Sequence, residues 1–173
     1  MVMRLLGGIL VVGACGGMGD YYARRLEQRV EELLLLYQKI LELQGEIRYA
    51  AAPLSEIMTE LGKQESGVIS ELFRQVAKEM EEAKARSFAE IVRETGNRVL
   101  RQSVLTKQDK EQFFRLGDSL GRLDKTQQLL ATEYYLTGLQ GEIEEAKRIK
   151  KERSYLYRCL SILAGIFLVI LMM

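Results

Sequence analysis

Apolar residues return along this chain at steps of three and four, and at both ends the polar positions between them vanish. From Cys159 to Met173 the sequence reads CLSILAGIFLVILMM, without a charge. As a helix rising about 1.5 Å per residue this covers roughly 22 Å, short of a hydrocarbon core of about 30 Å, so Tyr155 to Arg158 must join the span with the Arg158 head snorkelling to the lipid headgroups. Just before it stand KRIKKER (Lys147 to Arg153), Tyr155 and Tyr157. Lysine and arginine mark the side retained in the cytoplasm, and tyrosine favours the interface. Met173 is therefore expected outside and the preceding residues inside.

The other end, LLGGILVVGACGGM (Leu5 to Met18), admits four readings. A secretory signal would have only Arg4 as its basic region. A lipoprotein signal would use Val12, Gly13, Ala14 and Cys15 as a loose lipobox, but it would export the basic collar against the charge rule. A dinucleotide fold would use ILVV as a strand and Gly13, Gly16 and Gly19 as a phosphate-binding turn, which requires further parallel strands that the helical spacing downstream of Tyr21 does not supply. The fourth reading is a membrane helix over residues 1–19. There Gly13 and Gly17 form a GxxxG face, and Arg24, Arg25 and Arg29 follow on the inner side. Both basic flanks then give one topology, with both termini outside. On this reading Gly13 and Gly17 are expected to meet Ser161 and Gly165 of the last span, because small residues four apart let membrane helices approach. The same residues would serve pairing between copies in a homo-oligomer.

Between the ends, Leu26, Val30, Leu33, Tyr37, Ile40, Gln44 and Ile47 form one stripe of a long helix. Pro53 disfavours helix in the residue before it and opens a short helix, PLSEIMTEL, closed by Gly62. A third helix follows along Val68 or Ile69, Leu72, Phe73, Val76, Met80 and Ala83. Ser87 with Glu90 reads as a capping box for a fourth, through Phe88, Ile91, Val92, Thr95, Val99 and Leu100, and Thr106 with Asp109 repeats the device for a fifth. The fifth carries Phe113, Leu116 and Leu120. Its Gly117 and Gly121 lie four apart, where missing side chains permit close approach of another backbone, although Gly121 is also suited to ending the helix. The last helix starts near Leu123 and carries Leu129, Thr132, Leu136, Leu139, Ile143, Ala146 and Ile149. Asp124 and Gln128, one turn apart on it, suit either a cap at the helix junction or a partner contact. The pattern predicts an all-α, antiparallel helical bundle of about six helices, the first and last continuing into transmembrane helices. The expected division is 1–19 in the membrane, 20–154 as a cytoplasmic bundle and 155–173 in the membrane.

Composition narrows the function. The 25 basic and 24 acidic residues leave a net charge of +1, giving no general attraction to nucleic acid; the cations that cluster lie beside the apolar ends, where anionic lipid is the fitting partner. Histidine is absent and the two cysteines, Cys15 and Cys159, sit in the apolar ends, so no metal, disulfide or Cys/His site is expected. The acidic run KEMEEAK reads as a solvated helix face. No serine, lysine or carboxylate has a recognisable catalytic partner, and no cofactor is expected.

Three segments carry a family resemblance: IRYAAAPLSEI after the first long helix, LGDSLGRLDKTQQ before the last, and YLYRCLSILAGIFLVILMM at the end. The chain resembles the stage III sporulation protein AB family of endospore-forming bacteria over essentially its whole length. Leu116, Gly117, Leu120, Gly121, Asp124 and Gln128 fall on the family pattern LGxxLGxxDxxxQ, whereas Cys159 and Leu160 replace the usual LG pair. The resemblance implies a non-enzymatic part of the channel apparatus in the mother cell membrane around the forespore. It also implies a cytoplasmic domain similar to the platform protein of type II secretion and type IV pilus systems, and a secretion-type ATPase, the AA protein of that apparatus, as partner. Two other functions compete: a nicotinamide-dependent enzyme using the Gly13 to Gly19 turn, and a coiled-coil membrane scaffold in division or signalling.

Overall fold

A computed structural model describes residues 2–49, 53–63, 67–82, 86–122 and 124–172, with side-chain surroundings from residue 16 onward except at 158, 162, 166, 168, 169, 171 and 172. The described residues contain no strand and form six helices: α1 (Val2–Tyr49), α2 (Leu54–Lys63), α3 (Val68–Glu82), α4 (Phe88–Val99), α5 (Lys107–Leu120) and α6 (Lys125–Met172). The fold is all-helical, as the spacing predicts. Among the described residues no helix is long and apolar enough to cross a membrane. The expected spans rest largely on residues 1–15 and on 162, 166, 168, 169 and 171–173, whose side chains lie outside the described set.

Packing divides the chain into two units, Met1–Val30 with Glu144–Met173, and Glu31–Ile143. The second unit is the bundle. Pro53 opens α2 by accepting from the backbone N–H of Glu56 at 3.0 Å and of Ile57 at 3.3 Å. Both capping boxes form: Ser87 Oγ accepts from Glu90 N at 3.3 Å and Thr106 Oγ1 from Asp109 N at 3.1 Å, each carboxylate returning to the cap's own N–H. Helix α2 packs on α3, α3 on α4 and α4 on α5. Their apolar faces converge with α1 where Ile40, Leu43, Met58, Val76, Val92 and Leu116 surround one small apolar gap. Phe73 meets Phe113 edge-on beside it, ring centres 6.2 Å apart.

Two details depart from the sequence expectation. On α1 the expected Val30, Leu33, Ile40 and Ile47 are buried, but Leu36 and Leu43 are buried with them, while Leu26, Tyr37 and Gln44 are only half-buried. The run of leucines from Leu33 to Leu36 offers two frames, and the one chosen buries leucines where the other would bury a phenol and an amide. Tyr37 instead accepts a hydrogen bond from Gln140 Nε2 at 2.8 Å. The same frame buries Lys39, 1% exposed, with its ammonium 3.6 Å from Glu42 at the edge of the core. Second, Gly62 does not close its helix; α2 runs on to Lys63. Gly62 is where α2 meets α3, since a Cβ there would lie 2.7 Å from Arg74 Cα and 2.8 Å from Arg74 N.

The first unit pairs the start of α1 with the end of α6. Glu27 ion-pairs with Lys150, the Tyr22 and Tyr157 rings stand 5.8 Å apart, and Gly19 lies against Tyr157 and Ser161. The numbers fall on one helix as they rise on the other, so the two helices run antiparallel here.

Candidate functional site

The LGDSLGRLDKTQQ segment (Leu116 to Gln128) becomes the turn from α5 into α6. Leu116 and Leu120 enter the core. Gly117 brings α5 onto α4, where a Cβ would lie 2.7 Å from Val92 Cγ1, and Gly121 lies against Phe88, at 3.2 Å on the same measure. Gly121 is also the C-cap of α5, its N–H bonding to the Gly117 carbonyl. Asp124 caps the next helix: its Oδ1 accepts from Gln127 N at 2.9 Å, and its carbonyl accepts from Gln128 N at 2.8 Å. Gln128 Nε2 reaches back to the Leu120 carbonyl at 2.8 Å, one of those a helix end leaves open. The structure thus brings all six motif residues to one junction and uses each in packing or capping. Arg93 of α4 adds a tie to α5, 3.1 Å from Asp118 and 3.7 Å from Glu111, with its guanidinium 5.3 Å from the Phe114 ring centre.

A polar clasp escaped the sequence reading. Glu32 of α1 accepts from Ser103 Oγ at 2.6 Å and from Val104 N at 3.2 Å, fastening the loop before α5. Ser103 Oγ in turn accepts from Leu105 N at 3.0 Å. Burial raises the Glu32 pKa from its ordinary range, opposed by the Ser103 hydroxyl, the Val104 N–H and the Lys110 charge. Lys110 itself donates to the Leu100 carbonyl at 2.7 Å. Nearby in this unit, Asp109 is buried as a cap, and Tyr135 is buried with its phenol pKa raised by burial and by the Asp109 charge. A glutamate at a half-buried helical position was the only available signal of the clasp. Its partner lies 71 residues away.

In the first unit, Gly17 faces open space and Gly19 makes the close approach, with a Cβ at 2.7 Å from the Tyr157 carbonyl. Two residues turn a helix by about 200°, so a helix that presents Gly19 inward turns Gly17 outward. Gly165 is buried, and Gly13 lies outside the residues whose surroundings are described. From Leu156 onward the outward side of α6 is apolar: Leu156, Leu160, Leu163, Phe167 and Ile170 are all exposed, at alternate steps of four and three.

Comparison with known proteins agrees along the chain. The family profile described as stage III sporulation protein AB matches residues 4–173. The curated "Stage III sporulation protein AB" of Bacillus subtilis (strain 168) is 24% identical over 172 residues, which cover 99% of this chain and 100% of that protein. A solved structure titled "Stage III sporulation protein AB (SpoIIIAB)" superposes with a TM-score of 0.68 at 22% identity, covering 72% of this chain and 98% of its own, and so shares the fold.

Proposed function

Because this chain belongs to the stage III sporulation protein AB family and its place is in sporulation, we propose that it is a non-enzymatic adaptor rooted in the mother cell membrane around the forespore, coupling a secretion-type ATPase to a membrane channel apparatus. The observation that carries the membrane part is the outward stripe of α6, where Leu160 and Phe167 are each 65% exposed along a face that repeats over four turns. A continuous apolar stripe of that length is unfavourable in water, and hydrocarbon is the solvent that suits it. The antiparallel pairing in the first unit supports two neighbouring spans, since it sends the start of α1 and the end of α6 off in the same direction.

The adaptor part rests on the family resemblance. Residues 2–49 form one helix, so Gly13, Gly16 and Gly19 do not make the strand-to-turn junction that a dinucleotide-binding enzyme requires. A generic membrane scaffold would share this topology and differ in its partner. Full-length chain in native membranes should retain the family's AA ATPase in a pull-down. Loss of the ATPase under all membrane conditions, with the chain folded and inserted, would overturn the coupling.

A further inference from the structure

Where α1 and α6 pair in the first unit, four tyrosines fall at one level. Tyr21 and Tyr22 sit edge to face at 5.7 Å, Tyr22 meets Tyr157 at 5.8 Å, and Tyr155 stands on the same turn of α6; all four are exposed. On one side of this belt lie Gly19, Ser161 and the apolar stripe from Leu160 onward. On the other, the register set by Glu27 with Lys150 and by Tyr22 with Tyr157 brings Arg24 and Arg25 level with Arg153, about one helical turn from the rings. The sequence shows two basic flanks; the fold joins them into a single collar.

Several of these cations are already engaged. Arg24 is held by Asp20, Lys147 by Glu144, Arg148 by Glu145 and Lys150 by Glu27. Arg25 lies against the Tyr21 ring, its guanidinium carbon 5.9 Å from the centre. Lys151 and Arg153 are exposed and form no ion pair among the described residues. Tyrosine rings favour the boundary between headgroup and hydrocarbon, and lysine and arginine one turn outside it meet the phosphate layer, where negative lipids concentrate.

We propose that this collar is a binding surface for anionic phospholipid headgroups, with Lys151 and Arg153 making the phosphate contacts, Arg25 supporting them from α1, and the tyrosine belt fixing the depth. The proposal rests on the membrane reading above and deepens it by naming the lipid. Neutral headgroups also carry phosphate, but only a lipid with net negative charge leaves it uncompensated for two exposed cations.

The test uses the full chain in nanodiscs of phosphatidylcholine alone or with phosphatidylglycerol. The melting temperature should be higher with phosphatidylglycerol, and K151Q/R153Q should remove about 4 °C of that gain. The charge-matched variant R101Q/R122Q, on the other unit, should keep it. Equal melting in both discs, or the same gain from free inorganic phosphate in phosphatidylcholine discs, would overturn the lipid site while leaving insertion intact. A chain that enters neither disc, and stays in the aqueous fraction after vesicle flotation, would overturn the membrane reading and this proposal together.

Discussion

Gly62 and Gly138 both lie inside helices, yet an added methyl group would meet different surroundings. At Gly62 it would strike backbone atoms of Arg74, which cannot swing away, whereas at Gly138 nothing lies within 4 Å. Gly62→Ala should therefore destabilise the chain by about 1–3 kcal/mol through overpacking. Gly138→Ala should stabilise it by up to about 1 kcal/mol, because alanine costs less chain entropy in a helix than glycine. Urea melts of the two variants should move in opposite directions; a stabilised Gly62→Ala would remove close approach as the cause there, and a destabilised Gly138→Ala would remove helix propensity. Glu32 gives a pH signature. Its pKa is raised in the fold, chiefly by burial, so the folded chain holds that proton more tightly than the unfolded one. This contribution to stability is complete below the unfolded value of about 4.3 and is lost as pH rises through the higher folded value. Relative to Glu32→Gln, the wild type should gain stability as pH falls from neutral through the region just above 4.3, measured as the difference between two denaturation curves. A difference independent of pH would remove the burial of the charge as the cause.

At the scale of elements, the α5–α6 junction is a mutual cap in which Asp124 serves the start of one helix and Gln128 the end of the other. Replacing both by alanine should cost about 1–2 kcal/mol, from one N-cap and one side-chain hydrogen bond, and lower the melting temperature while leaving ATPase retention unchanged. Unchanged melting with lost retention would instead make the junction a contact surface. The two capping boxes were legible in the sequence because each closes within three residues, so chain connectivity alone brings its partners together. The frame of α1 was harder to read. Four consecutive leucines fit two stripes equally well, and helices packed from far along the chain chose Leu36 and Leu43 over Tyr37 and Gln44.

For the whole molecule, the two basic flanks and the antiparallel pairing give one expectation, with residues 20–154 inside and both termini outside. A reporter active only in the cytoplasm should stay silent when fused after Met173 and become active when inserted at an exposed bundle position such as Arg101. Strong activity after Met173 would overturn the topology and, with it, the membrane-rooted adaptor. The pairing places its closest contact at Gly19, two residues from the glycine that a GxxxG pattern singles out. Spacing along one helix defines a face, but only the partner helix decides which face is used.

The sequence by itself determined the all-helical class, the order of about six helices, the two capping boxes and the segment that carries the family pattern. These depend on hydrophobic period and on interactions between residues a few places apart. The tertiary structure decided the rest: the burial of Lys39, the clasp from Glu32 to Ser103, the crossing at Gly62, and the union of two basic flanks into one collar around a tyrosine belt. The clasp, the crossing and the collar each join separate elements, across 71 residues in the case of the clasp. Side-chain pattern repeats along one helix with little regard to what lies beside it, whereas contacts of this kind exist only once the chain has closed the loops between its helices.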